Sequence, residues 1–135
     1  MRGKIQNVAR KQQIIDFSGL LFGSITPTDM DGLIEYHDKA YAILEFKYGN
    51  VELPYGQRLC IQRLVNDLAH SGKKIVAAVI GHNVHDVNQS IPAAECFVRE
   101  VYLGDERRWR PPIRPMTTLE LLEAFFDYVE PRIAV

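Results

Sequence analysis

The stretch Lys74–Gly81, Lys-Ile-Val-Ala-Ala-Val-Ile-Gly, constrains the fold of this chain more than any other segment. A strand with one wet face alternates apolar and polar residues, whereas a continuous apolar strand must be covered on both faces. The residues before it supply one cover. Pro54 opens a helical pattern in which Gln57, Ile61, Leu64, Val65 and Leu68 share a face, and Gly72 follows its end. A helix leading into a doubly buried strand is the signature of an α/β fold.

The remaining segments extend that pattern. Residues 4–16 set Ile5, Val8, Ile14 and Ile15 among basic and amide residues, which predicts a helix with a basic outer face. Asp31–His37 and Tyr41–Lys47 read as two strands of a hairpin around Asp38-Lys39. Residues 82–95 read as a polar loop and Cys96–Leu103 as a further strand. A Pro- and Arg-rich connector, Asp105–Met116, leads to a last helix. Thr117 and Glu120 have capping-box spacing, Leu121, Leu122, Phe125, Phe126 and Val129 form its buried stripe, and Pro131 stops it. The expected architecture is α/β, a mixed central sheet flanked by helices.

At 135 residues, with 47% hydrophobic and 24% charged residues, the chain is expected to form a single domain, residues 1–135. This composition excludes a disordered, collagen-like or disulfide-scaffold chain. Ile75–Ile80 is too short to cross a membrane, and the basic N-terminus lacks the apolar core of a signal peptide. Cys60 and Cys96 lie in apolar surroundings without a CxxC pattern and read as reduced core thiols ahead of a structural disulfide. A soluble, cytoplasmic protein is expected.

The net charge of −1 argues at first against a nucleic-acid partner, but it is the sum of opposing blocks. Residues 1–13 carry four basic and no acidic residues. Residues 26–53 carry Lys39 and Lys47 against Asp29, Asp31, Glu35, Asp38, Glu45 and Glu52. Carboxylates crowded on neighbouring strands repel one another unless a cation neutralises them, and oxygen ligands of this kind suit Mg²⁺ or Mn²⁺. Glu45 and Lys47 are two apart and project from one strand face. A carboxylate, a lysine and a metal fit phosphodiester hydrolysis, with Asp31 and Glu45 as metal ligands and Lys47 orienting or deprotonating the attacking water. Asp31 shares that face only if paired hairpin residues sum to an even number. A two-residue turn at Asp38-Lys39 would pair Asp31 with Phe46 instead, so the reading requires an odd-length loop or a bulge.

Asp31, the hairpin, Glu45-Phe46-Lys47, and Tyr55-Gly56-Gln57-Arg58-Leu59 at a helix start together resemble the PD-(D/E)XK nuclease superfamily, over roughly residues 5–80. The likeness is to its RecB-like and VRR-type branches and to small phage or mobile-element members. Met30 stands before Asp31, where the family pattern has proline. The resemblance implies a restriction-endonuclease-like α-β-β-β-α-β core, here with an extra C-terminal strand and helix. It implies Asp31 and Glu45 as metal-binding acids, Lys47 as the catalytic lysine and Gln57 as the glutamine reaching back to the site. The expected activity is Mg²⁺- or Mn²⁺-dependent DNA cleavage. The alternative is a nuclease-like module that binds nucleic acid or a protein without cutting.

Candidate nucleic-acid contacts are Lys4, Arg10, Lys11, Arg58, Arg107, Arg108, Trp109 and Arg110. For Trp109 the competing reading is a stiff connector whose indole covers the core. His82 and His85 read as a solvated loop or a phosphate contact ahead of a zinc pair. A homodimer is compatible with two-site cleavage, but no interface signal is visible in the sequence.

Overall fold

A computed structural model describes residues 13–132. Its elements in chain order are β1 (Gly32–Tyr36), β2 (Ala40–Tyr48), α1 (Tyr55–His70), β3 (Lys74–His82), β4 (Val98–Leu103), β5 (Trp109–Arg110) and α2 (Thr118–Val129), with a single 3₁₀ turn at Ala93–Glu95. The five strands form one sheet in the order β1-β2-β3-β4-β5. β2 and β3 are parallel, as the α1 crossover between them requires, and the other neighbours are antiparallel.

The apolar run of β3 is central and covered on both faces, as its composition demands. Ile75, Ala77 and Val79 pack with Ile43 of β2 beneath Ile61 and Val65 of α1. Val76, Ala78 and Ile80 pack with Ala42 and Leu44 beneath Phe125 of α2. Each buried valine or isoleucine in these layers contributes about 1.5–3 kcal/mol. α2 starts at the expected capping box, in which the Thr117 hydroxyl accepts from the Glu120 N–H and the Glu120 carboxylate accepts from the Thr117 N–H.

The structure corrects several expectations. The predicted N-terminal helix lies mostly outside the described residues. Its last positions, Gln13–Asp16, are not helical, because Asp16 turns back to accept the Ser18 N–H. Among the described residues two strands, not three, precede α1. Residues 17–30 are exposed and broken by Gly19, Gly23 and Pro27, and they contribute one isolated bridge, Phe22 to Ile25. Cys96 is buried as expected, whereas Cys60 is exposed on α1.

Two irregularities matter for the site. The β1–β2 loop has three residues, His37–Lys39, with positive φ at His37 and Asp38, so that Tyr36 pairs with Ala40 and Gly32 with Leu44. Between β3 and β4 the register shifts at Val79/Ile80, where a bulge leaves Arg99 unpaired.

Candidate functional site

Along β2, Tyr41, Ile43, Glu45 and Lys47 alternate onto the α1 face. The body of α1 covers Ile43, but the helix begins at Tyr55, so only its first turn reaches Glu45 and a cleft opens beside Lys47. The three-residue loop meets the parity condition. Continuing the register from Gly32 and Leu44 sets Asp31 opposite Glu45, one residue before β1 begins.

The contacts follow from that register. The Asp31 N–H donates to Glu45 Oε1 at 3.2 Å, and the Phe46 N–H donates to Asp31 Oδ2 at 2.8 Å. From the first turn of α1, Gln57 Nε2 donates to Glu45 Oε2 at 2.9 Å and to the Asp29 carbonyl at 3.2 Å. Asp31, Glu45, Lys47 and Gln57 thus line one open cleft of about 320 Å³, closed on one side by Pro27–Asp29.

Glu45 is 2% exposed. Burial, then the negative charge of Asp31, push its carboxyl up from 4.5 to about 7, while the Asp31 N–H and the Lys47 ammonium pull it back. A buried carboxylate beside a second carboxylate is an environment that a divalent cation would neutralise, which is the test of fit for a metal here. Among the described residues, however, no group of three or more His, Cys, Asp or Glu side chains converges. Asp31 and Glu45 are therefore two side-chain ligands at most, the sparse donor set that Mg²⁺, which retains several waters, accepts.

Beside the cleft lies an ion network that sequence reasoning missed. Across the sheet, Glu45, Val79 and Glu100 form one row, and Lys47 and Gly81 form the next row on the same face. The Arg99 stem lies over Gly81, where a Cβ would sit 3.0 Å from Arg99 Cδ and 3.2 Å from the Gly49 carbonyl. The Arg99 guanidinium donates to the Val51 carbonyl at 2.7 Å and lies 4.0 Å from Glu52, tying down the connection that leads into α1 and Gln57. Neither the bulge nor this contact has a sequence signal of its own. Gly81 at the end of an apolar strand is the only hint.

The expected nucleic-acid contacts scatter. Lys4, Arg10 and Lys11 lie outside the described residues. Arg58 is held at the α1 start, 2.8 Å from Glu100 and 4.5 Å above the Trp109 ring. The buried Glu100 Oε2 accepts no directed hydrogen bond, so charge attraction holds that pair. Trp109 is a core cover rather than a free stacking surface, because its ring packs on Tyr102 and its Nε1 donates to Gln62. Arg110 is paired with Glu106 at 2.6 Å. Arg107 and Arg108 are exposed, but they follow Leu103, which pairs with Val76, whereas Lys47 pairs with Gly81. β4 runs antiparallel to β3, and this carries the basic turn to the end of the sheet remote from the cleft.

Other polar candidates are engaged elsewhere. The Glu35 carboxylate caps the hairpin by accepting the Asp38 N–H. His82 Nδ1 accepts the Val84 N–H, and the Tyr48 hydroxyl bonds His85, so both histidines order the loop after β3. No helix of the described residues is long and apolar enough to cross a membrane. No known protein family, curated protein or solved structure matches the chain.

Proposed function

We propose that this chain is a Mg²⁺- or Mn²⁺-dependent nuclease of the PD-(D/E)XK type, hydrolysing phosphodiester bonds in DNA on a restriction-endonuclease-like core. The observation that carries the proposal is the meeting of Asp31, Glu45, Lys47 and Gln57 in one cleft, with two adjacent carboxylates, one of them buried. Such a metal polarises a phosphate and lowers the pKa of a bound water. Asp31 and Glu45 would hold it. Gln57 fixes the Glu45 carboxylate through Oε2, so its remaining lone pairs are directed before any ligand arrives. Lys47, at the open side, offsets the phosphate charge and orients the attacking water.

Incubation of the full chain with plasmid DNA and Mg²⁺ or Mn²⁺ tests the proposal. Nicking or degradation is expected, lowered by about 100-fold or more in Lys47→Ala. Equal trace activity in the two proteins would sink it. A two-carboxylate donor set also supports a second reading, a binding module that does not cut. That reading predicts DNA or protein affinity indifferent to divalent cation and unchanged by Asp31→Ala.

A further inference from the structure

Two arginines from distant parts of the chain meet beside the cleft. Arg58 comes from the first turn of α1 and Arg99 from the β4 bulge, and their guanidinium groups flank one carboxylate, that of Glu52. Arg58 Nη2 stands 3.7 Å from Glu52 Oε2, and Arg99 Nη2 stands 4.0 Å from Glu52 Oε1. Both separations exceed by about 1 Å the length of a charge-assisted hydrogen bond between such groups. The arginine side chains are only 20% and 21% exposed, whereas that of Glu52 is 78% exposed. Glu100 and the Trp109 ring hold Arg58, while the Val51 carbonyl and the surface of Gly81 hold Arg99. Two fixed cations thus surround one loosely seated anion.

The chain supplies few other anions to this place. Among the described residues, Arg58 has Glu52 and Glu100 within 4.0 Å, and Arg99 has Glu52 alone. Residues 1–12 and 133–135 contain no acidic side chain. With Glu52 turned away, two guanidinium groups face one carboxylate, Glu100. Exposed, long ion pairs are weak, so a competing anion displaces Glu52 at little cost. A phosphodiester offers the same pair of acceptor oxygens as a carboxylate, and the planar fork of arginine matches both.

The pair also lies in line with the cleft. Lys47 and Gly81 share a row on the α1 face, and the Arg99 stem fills the place of the missing Gly81 side chain. Lys47 and Arg99 are therefore neighbours, one strand spacing of roughly 5 Å apart. Glu100, the partner of Arg58, shares a row with Glu45 two strands away. That offset is roughly 10 Å, the axial rise of about three nucleotides on one strand of a duplex. We infer that Arg58 and Arg99 bind a backbone phosphate of DNA a few nucleotides from the scissile one, and that Glu52 holds the place of that phosphate until DNA displaces it. The inference rests on the nuclease reading for the identity of the ligand, and it adds Arg99 and Glu52 to the residues that meet the substrate.

Fluorescence anisotropy of the full chain with a labelled DNA duplex, at low salt in chelator, tests the site without cleavage. Glu52→Gln should tighten binding about 3-fold. Glu123→Gln, an equal change of charge at an exposed position of α2, should leave the affinity unchanged. Arg99→Gln should weaken binding about 10-fold and lower the slope of log affinity against log salt by about 1. In the Arg99→Gln background, Glu52→Gln should no longer tighten binding. Equal affinities of the wild type and Glu52→Gln would overturn the inference. So would a gain that Glu123→Gln matches, or one that persists undiminished without Arg99. Glu52→Gln removes no ion pair shorter than 3.7 Å, so its comparison with Glu123→Gln decides the matter even where Arg99→Gln does not fold. A chain that Glu52→Gln tightens on DNA, but that never cuts with Mg²⁺ or Mn²⁺, would keep the phosphate site and lose the nuclease reading.

Discussion

Replacing Glu45 by glutamine tests the electrostatics of the cleft without any assumption about activity. In the metal-free protein the Glu45 carboxyl is pushed from 4.5 to about 7, first by burial and then by Asp31. The folded chain thus holds a proton that the unfolded chain has released between those two values. The stabilisation that Glu45 contributes is full below about 4.5 and is lost as pH rises through about 7. That span corresponds to about 3 kcal/mol. The side-chain amide introduced by Glu45→Gln carries no charge at any pH and can keep its contacts with Asp31 and Gln57 if the Gln57 amide reverses, which gives up the bond to the Asp29 carbonyl at every pH alike. At pH 5 the variant should unfold within about 1 kcal/mol of the wild type, the worth of that one lost hydrogen bond. Between pH 5 and pH 8 the variant should gain about 3 kcal/mol relative to the wild type, a change in midpoint difference on the order of 1–2 M. The carboxyls of Asp105, Glu106, Glu120 and Glu130 are lowered by their hydrogen-bond partners. Their stabilisation is lost only in acid, outside this window, and the wild-type comparison removes shared contributions. The measurement is urea unfolding in chelator from pH 5 to 8. A difference between the two proteins that stays flat over that range would refute the reasoning, since Glu45 would then be ionised without penalty.

Two further perturbations examine the packing. A Cβ at Gly104 would stand 2.8 Å from the Ala69 Cβ, so Gly104→Ala should cost about 1–3 kcal/mol, part of it recovered by adding Ala69→Gly. An unchanged melting temperature in the single variant would contradict the close approach of α1 to the end of β4. Thr117→Ala removes the hydroxyl that accepts the Glu120 N–H and should destabilise the protein by about 1 kcal/mol in urea unfolding, with Thr117→Ser close to wild type.

Much of the frame was legible because local rules settle it. The unbroken apolar residues of β3 require two covers, the α1 face follows from a 3.6-residue period between Pro54 and Gly72, and Thr117 with Glu120 starts α2 at the expected residue. The same local character explains the failures upstream of β1. Apolar periodicity over residues 4–16 says nothing of the Asp16 turn that competes with helix at its end, and Phe22-Gly23-Ser24-Ile25 is too short to register as a strand pair.

The candidate site divides along the same line. That Glu45 and Lys47 share a strand face follows from the two-residue repeat of any strand, and Gln57 on the inner stripe of α1 follows from helical spacing. Whether Asp31 joins them depended on hairpin parity, which one loop residue reverses. Only the tertiary structure decided that, through the left-handed backbone of His37 and Asp38 that makes room for three. It also decided the fate of the arginines and of Trp109. Composition shows a basic, aromatic connector, but the antiparallel run of β4 sends Arg107 and Arg108 to the far end of the sheet, and Arg58, Gln62 and Tyr102 draw the indole into the α1 cover. Local patterns along the chain determined its helices, strands and candidate chemistry. Which of those residues meet was left to pairing register and chain direction, quantities set by contacts between segments far apart in sequence.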